Sequence, residues 1–208
     1  MFDIIYEDEH ILIANKPPNI LVIPAPGKSG KTLTDDINES LARKGLTVKA
    51  HPCHRLDYET SGVIIYAKGK KMQQLMMDKF HQNDVKKKYI AFVHGVLAKD
   101  NYEIKNPIEG KPAITRYRIL DKRRNYTVVE VELVTGRTNQ IRIHFKQVGY
   151  PLVGERKFAF AKDYSLKFRR VALHAAEISF SHPVTNERVT FKAPLPEDME
   201  CFLRAARN

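Results

Sequence analysis

The hydrophobic residues of this chain occur in short runs, and their spacing predicts a succession of strands and helices. The run at residues 63–67 is apolar throughout, which is typical of a strand buried on both faces. At residues 129–133, apolar residues alternate with Glu130 and Glu132, as in a strand with one face in water. Further strands are predicted at residues 11–14, 20–23 and 88–93, and in the arms of a hairpin that contain Ile178 with Phe180 and Val189 with Phe191.

Four other segments have apolar residues three or four positions apart, which is the spacing of an amphipathic helix. The first has Thr32 as its predicted N-cap, with Asp35 three residues later, and is predicted to end at Gly45. Thr138 is the predicted N-cap of the third helix. Because regular crossover helices do not join the strands, the pattern predicts an α+β fold with a mostly antiparallel sheet. The apolar helix positions are Leu33, Ile37 and Leu41; Met72, Leu75, Met76 and Phe80; Ile141, Phe145 and Val148; and Met199, Phe202, Leu203 and Ala206.

Composition narrows the class of protein. The 208 residues suffice for a substantial core, and no composition break divides them, so we expect one domain. A formal net charge of +11 favours a polyanionic partner, either RNA or an anionic membrane. No apolar run reaches the roughly 20 residues of a membrane-spanning helix, and the N-terminus lacks the features of a signal peptide. Cys53 and Cys201 are too few for a disulfide framework, so we expect a reducing cytosol and a packing role for both.

Basic residues recur near the predicted ends of elements. Each such run is normally a solvated surface, but together these residues could neutralise RNA phosphates. They are Lys68, Lys70 and Lys71; Lys86, Lys87 and Lys88; Lys122, Arg123 and Arg124; and Lys162, Lys167, Arg169 and Arg170.

Residues 25–32 (Ala-Pro-Gly-Lys-Ser-Gly-Lys-Thr) resemble a phosphate-binding loop between a strand and a capped helix. The first position is alanine instead of glycine, and Pro26 removes a backbone N–H from a loop that works by donating such groups. We therefore interpret this segment as an exposed turn, with nucleotide binding as an alternative. His51, Cys53 and His54 have no second pair of ligands, so we predict no metal site.

The stretch from His54 to Gly62 (His-Arg-Leu-Asp-Tyr-Glu-Thr-Ser-Gly) is the most informative part of the chain. It places Asp57 between an arginine and a Thr-Ser-Gly turn, directly before the buried strand at residues 63–67. A single carboxylate at the entrance of a strand, in so basic a chain, is a candidate for chemistry on an anionic polymer.

Together with further segments in the same order along most of the chain, this stretch resembles the RluA family of pseudouridine synthases. The segments are residues 15–17, 54–57 with 60–62, 87–91 ending at Gly95, 136–144 followed by 151–155, 173–175 and 191–194.

The resemblance implies an enzyme that breaks the C1′–N1 bond of selected uridines in structured RNA and rejoins the uracil through C5. It implies the pseudouridine synthase fold, an α+β fold with a long bent mixed sheet, mostly antiparallel, and a central active cleft. It implies no cofactor, no metal and no membrane, and a cytoplasmic monomer whose partner is ribosomal RNA, transfer RNA or both. Residues 1–208 would form one catalytic domain without the small N-terminal RNA-binding domain of some relatives.

The resemblance also assigns roles to individual residues. Asp57 would act as nucleophile at C1′ or as base at C2′. Burial raises the pKa of a carboxyl group, so Asp57 needs an opposite charge to stay ionised. Arg142 matches the arginine that pairs with the catalytic carboxylate in the family, and we expect the two to meet at the bottom of a groove. Tyr89 matches the family's active-site tyrosine, which is placed against the base.

Four residues are expected to contact RNA. Arg55 matches a residue that enters the RNA stack in place of the flipped uridine, and His54 belongs to the same motif. Ile141 is expected to pack against the flipped uracil, although an apolar helix position also explains it. Arg137 either contacts phosphate or braces its turn.

Three positions depart from the family pattern. Asn139 stands where the family usually has His, Asn19 where glycine is common, and Cys53 where an apolar residue is typical. Asp57, Tyr89 and Arg142 are all present, so we expect activity. The alternative function is an RNA-binding module that keeps the fold without catalysis.

Overall fold

The structure is a computed structural model that describes residues 2–159 and 166–205. Within these residues the chain forms helices and strands in an α+β arrangement, as predicted. Ala206 and Lys162, which were assigned above to a helix and to the basic residues, lie outside the described residues. The helices are α1 (Leu33–Arg43), α2 (Lys70–His81), α3 (Gln140–Gln147) and α4 (Glu197–Ala205). The strands are β1 (Asp3–Glu7), β2 (Ile11–Lys16), β3 (Ala50–Pro52), β4 (Ser61–Lys68), β5 (Lys86–His94), β6 (Asn101–Ile104), β7 (Thr115–Lys122), β8 (Tyr126–Leu133), β9 (Leu173–Ser181) and β10 (Arg188–Lys192).

The chain divides into two compact units, and the first comprises Met1–Lys86 and Ala175–Pro194. Its strand order is β1-β2-β4-β9, with β3 beside β4 and β10 beside β9. In β4 the seven residues from Ser61 to Ala67 are buried, which confirms the prediction of a strand covered on both faces. The predicted hairpin is β9–β10, in which Phe180 lies opposite Val189. The core of this unit includes Ile11, Ile13, Val63, Ile65, Met76, Ile178 and Phe180.

Helix α1 begins as its sequence predicts. The Thr32 hydroxyl accepts a hydrogen bond from the Asp35 backbone N–H, and the Asp35 carboxylate accepts one from the Thr32 N–H, so the capping box is complete. Leu33, Ile37 and Leu41 are buried on one face of the helix. The cap and the apolar stripe together explain why this segment is helical.

Helix α2 also forms where predicted, but the prediction that Leu75 belongs to its apolar, buried stripe is wrong. Met76 is buried, and Met72 and Phe80 pack against the core. Leu75 is 39% exposed. The helix therefore buries only the stripe of every fourth residue.

The strand predicted at residues 20–23 does not form. Prolines at positions 17, 18 and 24 flank this segment and limit strand pairing at its ends. The carbonyls of Leu21 and Val22 instead accept hydrogen bonds from the N–H groups of Leu33 and Thr34 at the start of α1. The segment is thus an irregular connection whose carbonyl groups are satisfied by a helix end.

Gly62 lies where β4 comes close to β9. Its φ of 114° strains any residue with a side chain, and an added Cβ would overlap the backbone of Ala175. We predict that Gly62→Ala lowers the free energy of unfolding by about 2–5 kcal/mol, because it adds a steric clash to backbone strain. Equilibrium denaturation of both proteins measures this loss.

Gly45 provides the matched control for this substitution. Its φ is 76°, but no atom lies within 4 Å of an added Cβ. Gly45→Ala should therefore lower stability by only about 1–2 kcal/mol, the strain contribution alone. Equal losses in the two variants would show that the close approach at Gly62 is unimportant.

The second unit comprises Lys87–His174 and Leu195–Asn208. Its strand order is β5-β8-β7-β6, and each of these pairs is antiparallel. In β8, Val129 and Val131 are fully buried, while Glu130 on the other face binds Arg118, so the predicted wet face is confirmed. Helix α4 packs through Phe202 against Phe92, Tyr126 and Phe168. No helix in the described part of the chain is long and apolar enough to span a bilayer.

Helix α3 starts one residue later than predicted. The N-cap is Asn139, with φ 54° and ψ 23°, and its side chain makes no capping hydrogen bond, so the prediction of Thr138 as the cap is wrong. The turn is held by the Gln140 side chain instead. This amide accepts from the Thr135 hydroxyl and the Arg137 N–H, and donates to Ile114 O.

Candidate active-site residues

Asp57 lies in the loop between β3 and β4, and a buried lysine holds this loop in place. Lys16 is 0% exposed, and its ammonium group donates to the carbonyls of Pro17 and Tyr58 at 3.0 and 3.2 Å. The Asn19 N–H also donates to the Tyr58 carbonyl, at 2.8 Å. The backbone next to Asp57 is therefore fixed, while the Asp57 side chain is half-buried.

The two residues of this motif that were predicted to contact RNA have different surroundings. The Nε2 atom of His54 accepts a hydrogen bond from the Ile65 N–H at 3.1 Å, and its ring lies against Phe80. His54 therefore attaches the loop to β4. Arg55 is exposed. The contacts of His54 and Arg55 with RNA stay predictions.

Tyr89 lies in β5 opposite Val131 of β8. Its side chain is buried, with 6% exposed. A tyrosine in a paired strand is held rigidly by the sheet, which suits a group that must keep one orientation toward a base. Its role in the reaction stays a prediction.

Arg142 forms a buried ion pair that the sequence did not reveal. Its Nε and Nη2 atoms donate to the two oxygens of Glu155 at 2.7 and 2.8 Å, and Nη1 donates to Asn139 Oδ1 at 3.2 Å. The N–H groups of Lys157 and Phe158 donate to Glu155 Oε1 at 2.8 and 3.2 Å. Burial alone would raise the pKa of Glu155, but the bonds from Arg142 and from the two backbone N–H groups lower it below its usual value. Glu155 is therefore ionised at neutral pH.

Arg137 lies three residues before α3, and Ile141 is the second residue of that helix. Ile141 is buried, which agrees with its ordinary explanation as a core residue of the helix. Arg137 is exposed, and its Nε donates to the Pro112 carbonyl at 3.1 Å, so it braces the turn. Contacts of these two residues with uracil and phosphate stay predictions.

Asparagine replaces the usual family residue at two positions where the backbone is left-handed. Asn19 has φ 62° and Asn139 has φ 54°. Asparagine adopts this conformation more easily than other residues with a side chain, so Asn19 can serve in the turn where glycine is common. Asn139 in addition supplies a hydrogen-bond acceptor to Arg142.

The predicted catalytic residues are contributed by both units. Asp57 belongs to the first unit, and Tyr89 and Arg142 belong to the second. The expectation that Asp57 and Arg142 meet stays a prediction. Glu155 was part of a segment that carried the resemblance, yet no pattern in the sequence pairs it with an arginine 13 positions earlier.

The segment that resembles a phosphate-binding loop is an exposed turn, as predicted. Ala25 and Lys28 bridge across it. Lys31 binds Asp36 and Glu39 at 2.8 and 2.7 Å. The lysine that would bind phosphate in a nucleotide-binding protein is thus engaged by two carboxylates.

The two cysteines differ from each other. Cys53 is packed in the core, and burial raises the pKa of its thiol to about 12, so it is no nucleophile. Cys201 is exposed, so the prediction that it packs in the interior is wrong. Within residues 2–159 and 166–205 no three potential ligands cluster closely enough to hold a metal ion.

The predicted set of basic residues is only partly a solvated surface. Arg170 is 1% exposed and binds Asp198 through Nε and Nη2, and Lys68 pairs with Glu7. These two side chains stabilise the fold, because buried guanidinium and ammonium groups require such partners. The exposed members of the set are Lys70, Lys71, Lys86, Lys122, Arg124, Lys167 and Arg169.

Known proteins resemble this chain over nearly its whole length. The sequence pattern of the family described as RNA pseudouridylate synthase matches residues 10–147. The chain is 37% identical to an uncharacterised RNA pseudouridine synthase of Bacillus subtilis, YlyB, over 99% of this chain and 73% of that protein. It is 33% identical to the ribosomal large subunit pseudouridine synthase D of Zymomonas mobilis, over 97% of this chain and 72% of that protein. The human RNA pseudouridylate synthase domain containing 4 shares the fold, with a TM-score of 0.81 and 22% identity over 98% of this chain and 92% of the other.

Proposed function

Because this chain belongs to the RNA pseudouridylate synthase family and is an RNA pseudouridine synthase of the RluA type, we propose that it modifies a uridine in large-subunit ribosomal RNA. The enzyme is an intramolecular isomerase. Several of its relatives are named as ribosomal large subunit pseudouridine synthases, among them the proteins of Zymomonas mobilis and Nitrosomonas europaea, each 33% identical over at least 97% of this chain. That agreement is the observation that carries the proposal of a ribosomal substrate.

We propose Asp57 as the catalytic carboxylate, acting at C1′ as nucleophile or at C2′ as base. The fixed backbone around Asp57 supports this role, because a reacting group must be held within about 0.5 Å of its productive position. We propose that Arg142 serves the same reaction by pairing with this carboxylate, since a guanidinium group stays charged at every relevant pH. Tyr89 is proposed to lie against the base, where it helps remove the C5 proton.

The proposed RNA contacts use groups that remain at the surface. Arg55 is exposed two residues before Asp57 and is proposed to replace the flipped uridine in the RNA stack. Arg137 is exposed at the start of α3. The net charge of +11 supports sequence-independent attraction to the phosphate backbone. We propose further that the chain acts as one catalytic domain and as a monomer.

Mapping of pseudouridines in total RNA, from cells with and without the gene, tests the proposed substrate. We expect one or a few sites in large-subunit ribosomal RNA to disappear without the gene and to return when the wild-type gene is supplied. Disappearance of sites in transfer RNA alone would contradict the ribosomal substrate. An unchanged map in all RNA would contradict the assignment of any cellular RNA as the substrate.

A further inference from the structure

Glu155 is a buried carboxylate with no assigned part in the reaction, yet it has an unusually complete set of partners. Its side chain is 1% exposed. Four N–H groups donate to it, two from the Arg142 guanidinium and two from the backbone of Lys157 and Phe158. A buried carboxylate with a single partner would lose much solvation free energy, and these four bonds compensate for that loss. Glu155 is therefore a fixed anion in the second unit.

The contacts of Arg142 hold its guanidinium plane from three directions. Glu155 binds the edge formed by Nε and Nη2, and Asn139 accepts from Nη1. The Phe158 ring lies 5.2 Å from the guanidinium carbon. A bidentate carboxylate fixes both the position and the plane of an arginine side chain that would otherwise sample many rotamers. The guanidinium group of Arg142 is therefore held in one orientation.

We propose that Glu155 is a positioning residue for the synthase reaction, which fixes the plane of Arg142 so that its guanidinium group meets, in one orientation, the anionic group on which Arg142 acts. This inference rests on the proposed catalytic role of Arg142. Glu155 does not contact the substrate, so its loss is expected to slow turnover without weakening RNA binding. Substitution of a group that only stabilises the fold would change neither kcat nor KM of the folded enzyme.

The test compares four variants of the full chain with the wild type: Glu155→Gln, Arg142→Lys, the double variant that carries both, and Asp198→Asn. The substrate is ribosomal RNA labelled with [5-³H]uridine from cells that lack the gene, and release of tritium measures loss of the C5 proton. Circular dichroism gives the folded fraction, so that kcat refers to folded enzyme. Asp198→Asn is the matched control, because Asp198 forms a bidentate pair with the buried Arg170 in the same unit.

Glu155→Gln keeps the shape of the side chain but loses the charge and one acceptor. We expect its kcat to fall about 10–100-fold, since a displacement of about 1 Å in a catalytic group has effects of that order, while KM stays within about threefold. Asp198→Asn should lower the melting temperature but keep kcat within about twofold, because the Asp198–Arg170 pair has no proposed part in the reaction. The double variant should be no slower than Arg142→Lys, because Glu155 acts only through Arg142.

The outcomes separate this inference from the proposed function. If Arg142→Lys keeps the wild-type kcat, the proposed role of Arg142 fails and the inference fails with it. If Arg142→Lys is slow but Glu155→Gln keeps the wild-type kcat, only the positioning role of Glu155 is overturned. A loss of kcat in the double variant equal to the product of the losses in the two single variants would also overturn the positioning role. Should Glu155→Gln not fold, Glu155→Asp replaces it: the shorter carboxylate draws the guanidinium back, and an unchanged kcat in that variant counts against the inference.

Discussion

Asp57→Asn is expected to lose turnover by at least about 10⁴-fold while it keeps the affinity of the enzyme for RNA, because removal of a reacting group abolishes one chemical step and leaves the binding surface intact. The amide has nearly the shape of the carboxylate but can act neither as nucleophile nor as base. The half-buried side chain lies in a loop whose backbone is fixed by Lys16, so the fold should tolerate the change. Tritium release from RNA labelled at C5 measures turnover, and filter binding measures affinity.

Glu59 offers the matched control for Asp57→Asn. It is an acidic residue of the same loop and is also half-buried. Glu59→Gln should keep turnover within about threefold, as is usual for a substitution outside the reacting groups. Wild-type turnover in Asp57→Asn would show that Asp57 is not the reacting carboxylate.

The elements predicted correctly from the sequence are those whose local signals agree with each other. Helix α1 has a complete capping box and an apolar stripe in register with it, and both are found in the structure. The all-apolar run in β4 is buried on both faces because neighbouring strands and packed side chains cover it. Where cap, spacing and burial indicate the same element, tertiary contacts do not change the outcome.

The errors arise where long-range contacts decide the local structure. Residues 20–23 have the composition of a strand, but their carbonyls satisfy the start of α1. Asn139 is the N-cap of α3 and has a left-handed backbone. The Gln140 amide donates to the carbonyl of Ile114, just before β7, and to the hydroxyl of Thr115, the first residue of β7. Neither arrangement follows from spacing, because both depend on partners 12 or more positions away.

The residues of the candidate site divide in the same way, into those that a local motif marks and those that only long-range contacts reveal. Asp57, Tyr89 and Arg142 were identified because motifs that resemble those of a family mark them. Glu155 was missed because it lies on an irregular segment, where no periodicity indicates which side it faces. Its signal was the requirement that a buried arginine have a carboxylate partner, and this requirement becomes visible only when the burial of Arg142 is known.

Arg142→Gln is expected to show that this arginine has two separable roles, one in stability and one in catalysis. The substitution leaves Glu155 buried without its guanidinium partner, which should lower the free energy of unfolding by about 3–5 kcal/mol. It should also reduce kcat on the order of 10²–10³-fold, because the positive charge that is proposed to act on the catalytic carboxylate is removed. Denaturation of the purified variant measures the first effect, and tritium release below its melting temperature measures the second.

The double variant Arg142→Gln/Glu155→Gln separates these two effects. With both charges gone, no uncompensated ion is left at this position, so most of the lost stability should return. Turnover should stay low, because the guanidinium group that is proposed to serve the reaction is absent. Recovery of turnover together with stability would show that Arg142 only supports the fold, and the carboxylate at Asp57 would then need another source of positive charge.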